Sequence, residues 1–331
     1  MKGKVALEEH VSTEENNKRW DLRFEAARHG KQYMANVERR LFDAETRLEE
    51  MDRFGIDTAI LSLTTPGAQS ILDSNQAVDF AKRTNDLITK NFVEPHQGRF
   101  YAFATVALQN PRAAGDELER AVKHLGMKGA LVNGYTNLGK TDSAQYLDAE
   151  PVWEFWDRVA KLDVPVYLHP RDSLPPQPQI YDGYPCLVGS PWSFGLETAT
   201  HAARLMLSGL FDKYPTLTVI LGHLGEGLPQ LLPRLEWRLH MQREGMNPPK
   251  ANRKVSEYFS QNFYATTSGH FHTKSMLNCI GEMGVDRVMF SVDYPYEEIR
   301  SAATWFDAAP ISENDRTRIG RDNARRLLRL P

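Results

Sequence analysis

The chain has 331 residues and a mass of 37.7 kDa, with 41% hydrophobic and 25% charged residues, which excludes a disordered or fibrous protein. Forty Lys and Arg against 43 Asp and Glu leave a net charge of −3, so no basic field exists to hold nucleic acid or an anionic membrane surface. The length admits two ordinary domains or one large α/β barrel.

Short β-rich runs fall at 4–11, 58–64, 100–108, 129–134, 164–170, 218–224, 263–269 and 288–295. Segments with helical spacing alternate with them, at 47–54, 75–92, 111–125, 151–162, 193–207, 228–241, 273–283 and 297–308. The helix at 111–125 has Asn110 as its cap, Pro111 at its first position and Gly126 at its end. Eight alternations predict an α/β fold, a single (β/α)8 TIM-type barrel covering 1–331. A doubly wound sheet usually has five or six strands and a glycine-rich first turn, which the first run lacks. No Walker motif is present, so no organic cofactor is expected.

Three stretches exceed a minimal barrel. A polar insertion at 12–41 follows the first strand, a Pro-rich loop at 172–191 follows the fifth, and a C-terminal helix is expected over 312–330. Long loops in compact domains usually serve as lids or contact surfaces. The two cysteines, Cys186 and Cys279, are too few for a disulfide framework and point to a reducing, cytoplasmic setting. Glu8 and Glu9 break the apolar run that a signal peptide needs, and no run approaches the ~20 residues of a membrane span.

Barrel chemistry sits at the C-terminal ends of strands. The first run ends Glu8-Glu9-His10, and side chains two apart share a face, so Glu8 and His10 point together and Glu9 away. The fifth ends on His169, the sixth on His223, and the eighth on Asp293 before Tyr-Pro. Singly, each reads as an ordinary histidine or turn former. Together they are imidazole and carboxylate donors on one rim, the set that suits Zn2+, Mn2+ or Fe2+. His270 and His272 have ligand-pair spacing but fall in a turn, with His270 left as a pocket-lining candidate. His29, His96, His124, His201 and His240 read as surface residues, and both thiols as inert.

Glu8-x-His10, Leu168-His169-Pro170, Gly222-His223-x-Gly225-Glu226 and Ser291-x-Asp293-x-Pro295 resemble the amidohydrolase superfamily. Gly129-Ala-Leu-Val-Asn133, Thr266-Thr-Ser-Gly269 and Ile319-Gly-Arg-Asp-Asn-Ala-Arg-Arg-Leu327 are similar to its nonoxidative hydroxybenzoate decarboxylase branch. Most hydrolases of the superfamily begin His-x-His and carry a metal-bridging lysine on the fourth strand. Here Glu8 replaces the first histidine, and no lysine follows Gly129 in that strand, which favours a mononuclear site.

The resemblance implies one divalent ion, Zn2+ or Mn2+, held by Glu8, His10, His169 and Asp293. It further implies Asp293 as proton donor to the ring carbon and His223 with Glu226 as a second dyad. Asn133 would bond a ring hydroxyl, and Phe194 and Phe24 would wall the pocket. Arg234 resembles an arginine that reaches a neighbouring subunit's substrate, although Pro233 stands where relatives have Trp. A homodimer or homotetramer follows from that role. Glu-x-His, Ile180-Tyr-Asp-Gly183 and Gly195-x-Glu-Thr198 favour 2,6-dihydroxybenzoate (γ-resorcylate), yielding resorcinol and CO2. Ser268-Gly-His-Phe271 leans toward 2,3-dihydroxybenzoate, so that acid and salicylate stay as alternatives. A metal-dependent hydrolase of an ester, lactone or amide is the rival enzyme class, and a non-catalytic scaffold barrel the rival outside enzymes.

Overall fold

The computed structural model describes residues 1–20, 29–174, 179–242, 244–245 and 248–331. Its strands are β1 (Lys4–Val11), β2 (Ile56–Leu63), β3 (Phe100–Ala102), β4 (Ala104–Thr105), β5 (Ala130–Asn133), β6 (Val166–His169), β7 (Val219–Leu221), β8 (Phe263–Thr266) and β9 (Val288–Met289). All neighbours are parallel and follow chain order, as β1-β2-β3 and β4 through β9. The expected third strand is one barrel position in two pieces. Between them Phe103 N–H donates to Leu61 O at 2.9 Å, and Ala104 N–H to Gly129 O at 2.8 Å, so pairing passes from β2 to β5 across the break.

The ring closes where Asp293 N–H donates to Glu8 O at 3.0 Å and His10 N–H to Tyr294 O at 2.7 Å. Eight strand positions therefore form the barrel that the alternation predicted. Helices lie outside it, among them Ala44–Phe54, Ser74–Ile88, Pro111–Leu125, Trp153–Leu162, Ser193–Leu207, Leu228–Met241, Thr273–Met283 and Ile299–Ala308. Asn110 caps its helix by accepting from Ala113 N–H, and Gly126 ends it in the left-handed region, as read. Among the described residues, no helix is long and apolar enough to cross a membrane.

Two apolar layers hold this frame. Val5, Leu7, Ile60, Phe103, Leu131, Tyr167, Ile220 and Met289 fill the barrel interior, with Ala324 and Leu328 beneath them. A larger cluster, including Phe80, Phe100, Trp156, Phe211 and Phe259, packs between strands and helices. Each fully buried side chain of this size contributes roughly 1.5–3 kcal/mol.

The sixth and eighth expected strands stop early, where the backbone turns away or its donors find other partners. Beyond β9, Phe290 N–H donates to Ile319 O at 2.8 Å, Ser291 N–H to Thr267 Oγ1 at 3.0 Å, and Val292 N–H to Glu9 Oε1 at 2.9 Å. Beyond β7, His223, Leu224, Gly225 and Glu226 all take left-handed backbone, with φ of 49°, 56°, 80° and 56°. The expected C-terminal helix is three joined pieces, Glu313–Thr317, Arg318–Asp322 and Asn323–Leu328, the middle one in π geometry.

One irregularity positions the site. Val5 and Leu7 face the barrel interior, so strict alternation would bring Glu9 inward after them. Instead β1 has a bulge: Ala6 pairs with Ala59 and Glu9 with Leu61, three steps against two. The extra residue reverses the phase, and Glu8 and His10 turn inward. Bulges of this kind re-aim side chains beside functional sites.

Candidate active site and metal centre

Glu8, His10 and His169 are buried, and one donor atom from each lies within 4.8 Å of the others. Tyr167 Oη donates to Glu8 Oε2 at 2.6 Å, and Ser268 Oγ bonds the same oxygen. The other oxygen, Oε1, lies 3.5 Å from His169 Nε2. Neither Glu8 Oε1 nor His10 Nε2 has a hydrogen-bond partner among the described residues. Buried polar atoms are rarely left unpaired, so converging orphans of ligand type fit a divalent cation. Burial pushes the His169 imidazole well below its ordinary range, with His10 adding to the effect, so it is a neutral donor. Burial also raises the Glu8 carboxyl, with Asp293 adding to it, and a bound cation would reverse that penalty.

Asp293 joins this cluster to a second one. Its Oδ1 lies 3.3 Å from His10 Nε2 and its Oδ2 3.4 Å from His223 Nε2. Burial alone would raise its carboxyl; the facing imidazoles of His10 and His223 outweigh that and hold it below the ordinary range. The residue takes φ of 80°, an uncommon conformation for a non-glycine residue and a frequent one at functional sites. The left-handed turn after β7 brings Glu226 back onto His223, with Oε1 2.7 Å from Nδ1. Burial opposes protonation of His223, but Glu226, Glu8 and Asp293 overcome it and raise its affinity for a proton well above normal.

The remaining expected residues are placed unevenly. Asn133 is buried at the end of β5 beside His169, its N–H donating to Gln69 Oε1 at 3.3 Å and its Oδ1 without a partner among the described residues. Phe194 is half-buried at the start of its helix; next to it, a Cβ on Gly195 would sit 3.4 Å from Glu226 Oε2. His270 is half-buried with Nδ1 3.3 Å from the His223 carbonyl, and His272 is exposed and caps the following helix. Arg234 is exposed on Leu228–Met241, away from any ion pair among the described residues. Phe24 lies outside the described residues.

One expectation is corrected. His201 is not a surface residue: it is 1% exposed, and its Nε2 accepts from Leu147 N–H at 2.9 Å. Its position on the inner face of Ser193–Leu207 buries it, and its imidazole is pushed down to about 3 by burial, with Arg204 adding. The unfolded chain takes up this proton near pH 6.5. The contribution is therefore complete above about pH 6.5 and is lost as pH falls toward 3, at up to about 1.4 kcal/mol per pH unit. His201→Gln keeps an acceptor for Leu147 and should flatten that slope. Urea midpoints between pH 7 and pH 5 check this, and an unchanged slope would remove His201 from the account.

Sequence reasoning missed Tyr167, Ser268 and Tyr296. Tyr167 is two residues before His169 on the same strand face, a signal that was available. Tyr296 packs edge-on to His10 at 5.7 Å between ring centres, with its hydroxyl 2.5 Å from Thr64 Oγ1, and nothing in its local pattern marks it.

A closed parallel barrel that gathers carboxylates and imidazoles at its C-terminal rim defines a metal-centred barrel enzyme. The amidohydrolase family model matches residues 10–330, and the chain belongs to that family. It is 46% identical to the γ-resorcylate decarboxylase of Rhizobium sp. (strain MTP-10005), covering 100% of this chain and 99% of that protein. A crystal structure of 2,6-dihydroxybenzoate decarboxylase complexed with 2,6-dihydroxybenzoate matches with a TM-score of 0.92 and 46% identity, over 100% of this chain and 99% of that one. The dihydroxybenzoic acid decarboxylase of Polaromonas sp., solved with manganese and the inhibitor 2-nitroresorcinol, matches with a TM-score of 0.93 and 46% identity, over 100% and 98%.

Proposed function

We propose that this protein, as one catalytic domain over 1–331, is a metal-dependent nonoxidative decarboxylase converting 2,6-dihydroxybenzoate to resorcinol and CO2. The observation that carries the reading is the placement of Asp293 between His10 of the donor cluster and His223 of the dyad. Manganese and substrate in the similar structures support it. Glu8, His10, His169 and Asp293 would hold one Mn2+ or Zn2+. When bound, the cation supplies Lewis acidity toward the substrate carboxylate and one ortho oxygen.

The protein's own groups move the proton. His223, held in its charged form by Glu226, gives its Nε2 proton to Asp293 Oδ2, 3.4 Å away, and is recharged by the proton of the ortho-hydroxyl. Asp293 delivers it to the carboxyl-bearing carbon, where a C–H bond forms and aromaticity is lost. The C–C bond to the carboxylate then breaks, CO2 leaves, and its electron pair restores the ring as a phenolate. That oxygen takes a proton from solvent. Asn133, whose Oδ1 has no partner among the described residues, accepts from the second ring hydroxyl. Phe194 and His270 line the ring.

Arg234 is proposed to reach the substrate carboxylate of a second copy. Leu231, Trp237 and Met241 share its helix face at three- and four-residue spacing and are 50%, 64% and 61% exposed, a surface suited to an apolar subunit contact. A homodimer or homotetramer in the cytoplasm completes the reading.

The test is product analysis on metal-loaded protein. Resorcinol and CO2 from 2,6-dihydroxybenzoate are expected, with activity lost on chelation and restored by Mn2+. Catechol from 2,3-dihydroxybenzoate would reassign the substrate. An acid plus an alcohol or amine from an ester or amide would identify a hydrolase, and no turnover of any hydroxybenzoate would overturn the proposal.

A further inference from the structure

The bulge in β1 places Glu8 and Glu9 on opposite faces, and Glu9 is as deeply buried as its neighbours, at 2% exposure. It holds no interior donor atom. Instead its Oε1 accepts from Val292 N–H at 2.9 Å and from Ser291 Oγ at 3.1 Å. Ser291 Oγ in turn accepts from Glu8 N–H at 2.7 Å and Leu7 N–H at 3.2 Å, the backbone groups at the bulge. The segment before Asp293 is thereby tied to the irregular part of β1 by side chains in place of a ladder.

A buried guanidinium closes the same joint. Arg47, 2% exposed on the helix Ala44–Phe54, donates from a guanidinium nitrogen to the carbonyl of His10. Its guanidinium lies over the ring of Tyr294, 4.3 Å from the centre, and Arg40 stands 5.4 Å from that centre. Arg47 thus touches the backbone of one donor residue and the neighbour of another. A buried charge rarely adds stability over an apolar side chain of similar volume, which leaves the geometry of the joint as what Arg47 supplies.

We infer that Glu9, Ser291 and Arg47 are positioning residues that set the distance between the Glu8/His10 pair and Asp293. The inference rests on the metal reading of Glu8, His10, His169 and Asp293. Residues behind ligands typically affect metal affinity by about 10–100-fold when removed.

The experiment measures Mn2+ affinity by electron paramagnetic resonance on metal-stripped, folded protein, so that its result does not depend on substrate. Failure of the parent protein to bind Mn2+ would sink the metal reading itself. With the parent binding, Ser291→Ala, a single-oxygen deletion, should weaken Mn2+ by about ten-fold, and Arg47→Met and Glu9→Leu by at least that much. Glu9→Gln retains an acceptor oxygen and should stay within about three-fold of the parent, well short of the roughly ten-fold loss expected when the acceptor is removed. Parental affinity in Ser291→Ala, or in the folded Arg47→Met protein, overturns the inference, as does Glu9→Gln binding as poorly as Glu9→Leu. If the Met and Leu variants do not fold, Ser291→Ala alone decides.

Discussion

Asp293→Asn should lower kcat by about 10³-fold or more while leaving much of the Mn2+ affinity in place. The substitution preserves the size and one acceptor oxygen of the side chain. It removes the carboxylate that, among the described residues, lies within reach of both His10 and His223, at 3.3 and 3.4 Å, and can carry a proton between the dyad and a ring carbon. Glu8, His10 and His169 still converge in the variant, so a cation retains three of its proposed donors. The check pairs two measurements on metal-loaded protein. One is steady-state release of CO2. The other is exchange of the resorcinol ring hydrogen for deuterium in D2O, which reads proton delivery without carboxylate chemistry. Both should collapse together. A variant with parental exchange and parental turnover would take Asp293 out of the proton-donor role and leave it as a ligand at most.

The strand ends were legible because two simple rules govern them. Alternation put Glu8 and His10 on one face, and strand termini drew attention to His169, His223 and Asp293. Asn110 and Gly126 marked their helix by the chemistry of its ends. What escaped was whatever broke periodicity. The bulge between Ala6 and Glu9 leaves no mark in residue type, and strict alternation from Val5 and Leu7 would have turned Glu8 outward. The left-handed run at His223–Glu226 includes Leu224, a residue that rarely adopts it, so the turn was read as more strand. Glu9, Arg47 and His201 look like surface residues in any hydropathy pattern. They are buried because each has a specific partner, in Val292, the His10 carbonyl and the Leu147 amide, and such partners lie far away in sequence. The donor set is local; the scaffold that aims it is not.

Gly222→Ala is the strongest test of that scaffold from the side of the space it needs. Gly222 follows β7 in an extended conformation, with φ of −73° and ψ of −177°, which alanine adopts freely. Backbone strain is therefore not the reason for a glycine here. A Cβ at this position would stand 2.6 Å from Glu8 Oε2, 3.2 Å from Glu8 Oε1 and 3.2 Å from Ser268 Oγ. The carboxylate is already fixed by Tyr167 and Ser268, so it has to leave those partners to make room. Overpacking of this kind costs roughly 1–3 kcal/mol, and the lost orientation of Glu8 should weaken Mn2+ by about 100-fold, the upper end for disturbed ligand support. Turnover at fixed, subsaturating Mn2+ should fall in proportion and recover partly as the metal is raised. Gly281→Ala is the matched control, since a Cβ there meets nothing within 4 Å on the helix Thr273–Met283, and it should be neutral or slightly stabilising. A Gly222→Ala protein that binds Mn2+ like the Gly281→Ala control would mean that the buried Glu8 carboxylate does not hold the metal, and the site would have to be rebuilt around the histidines and Asp293.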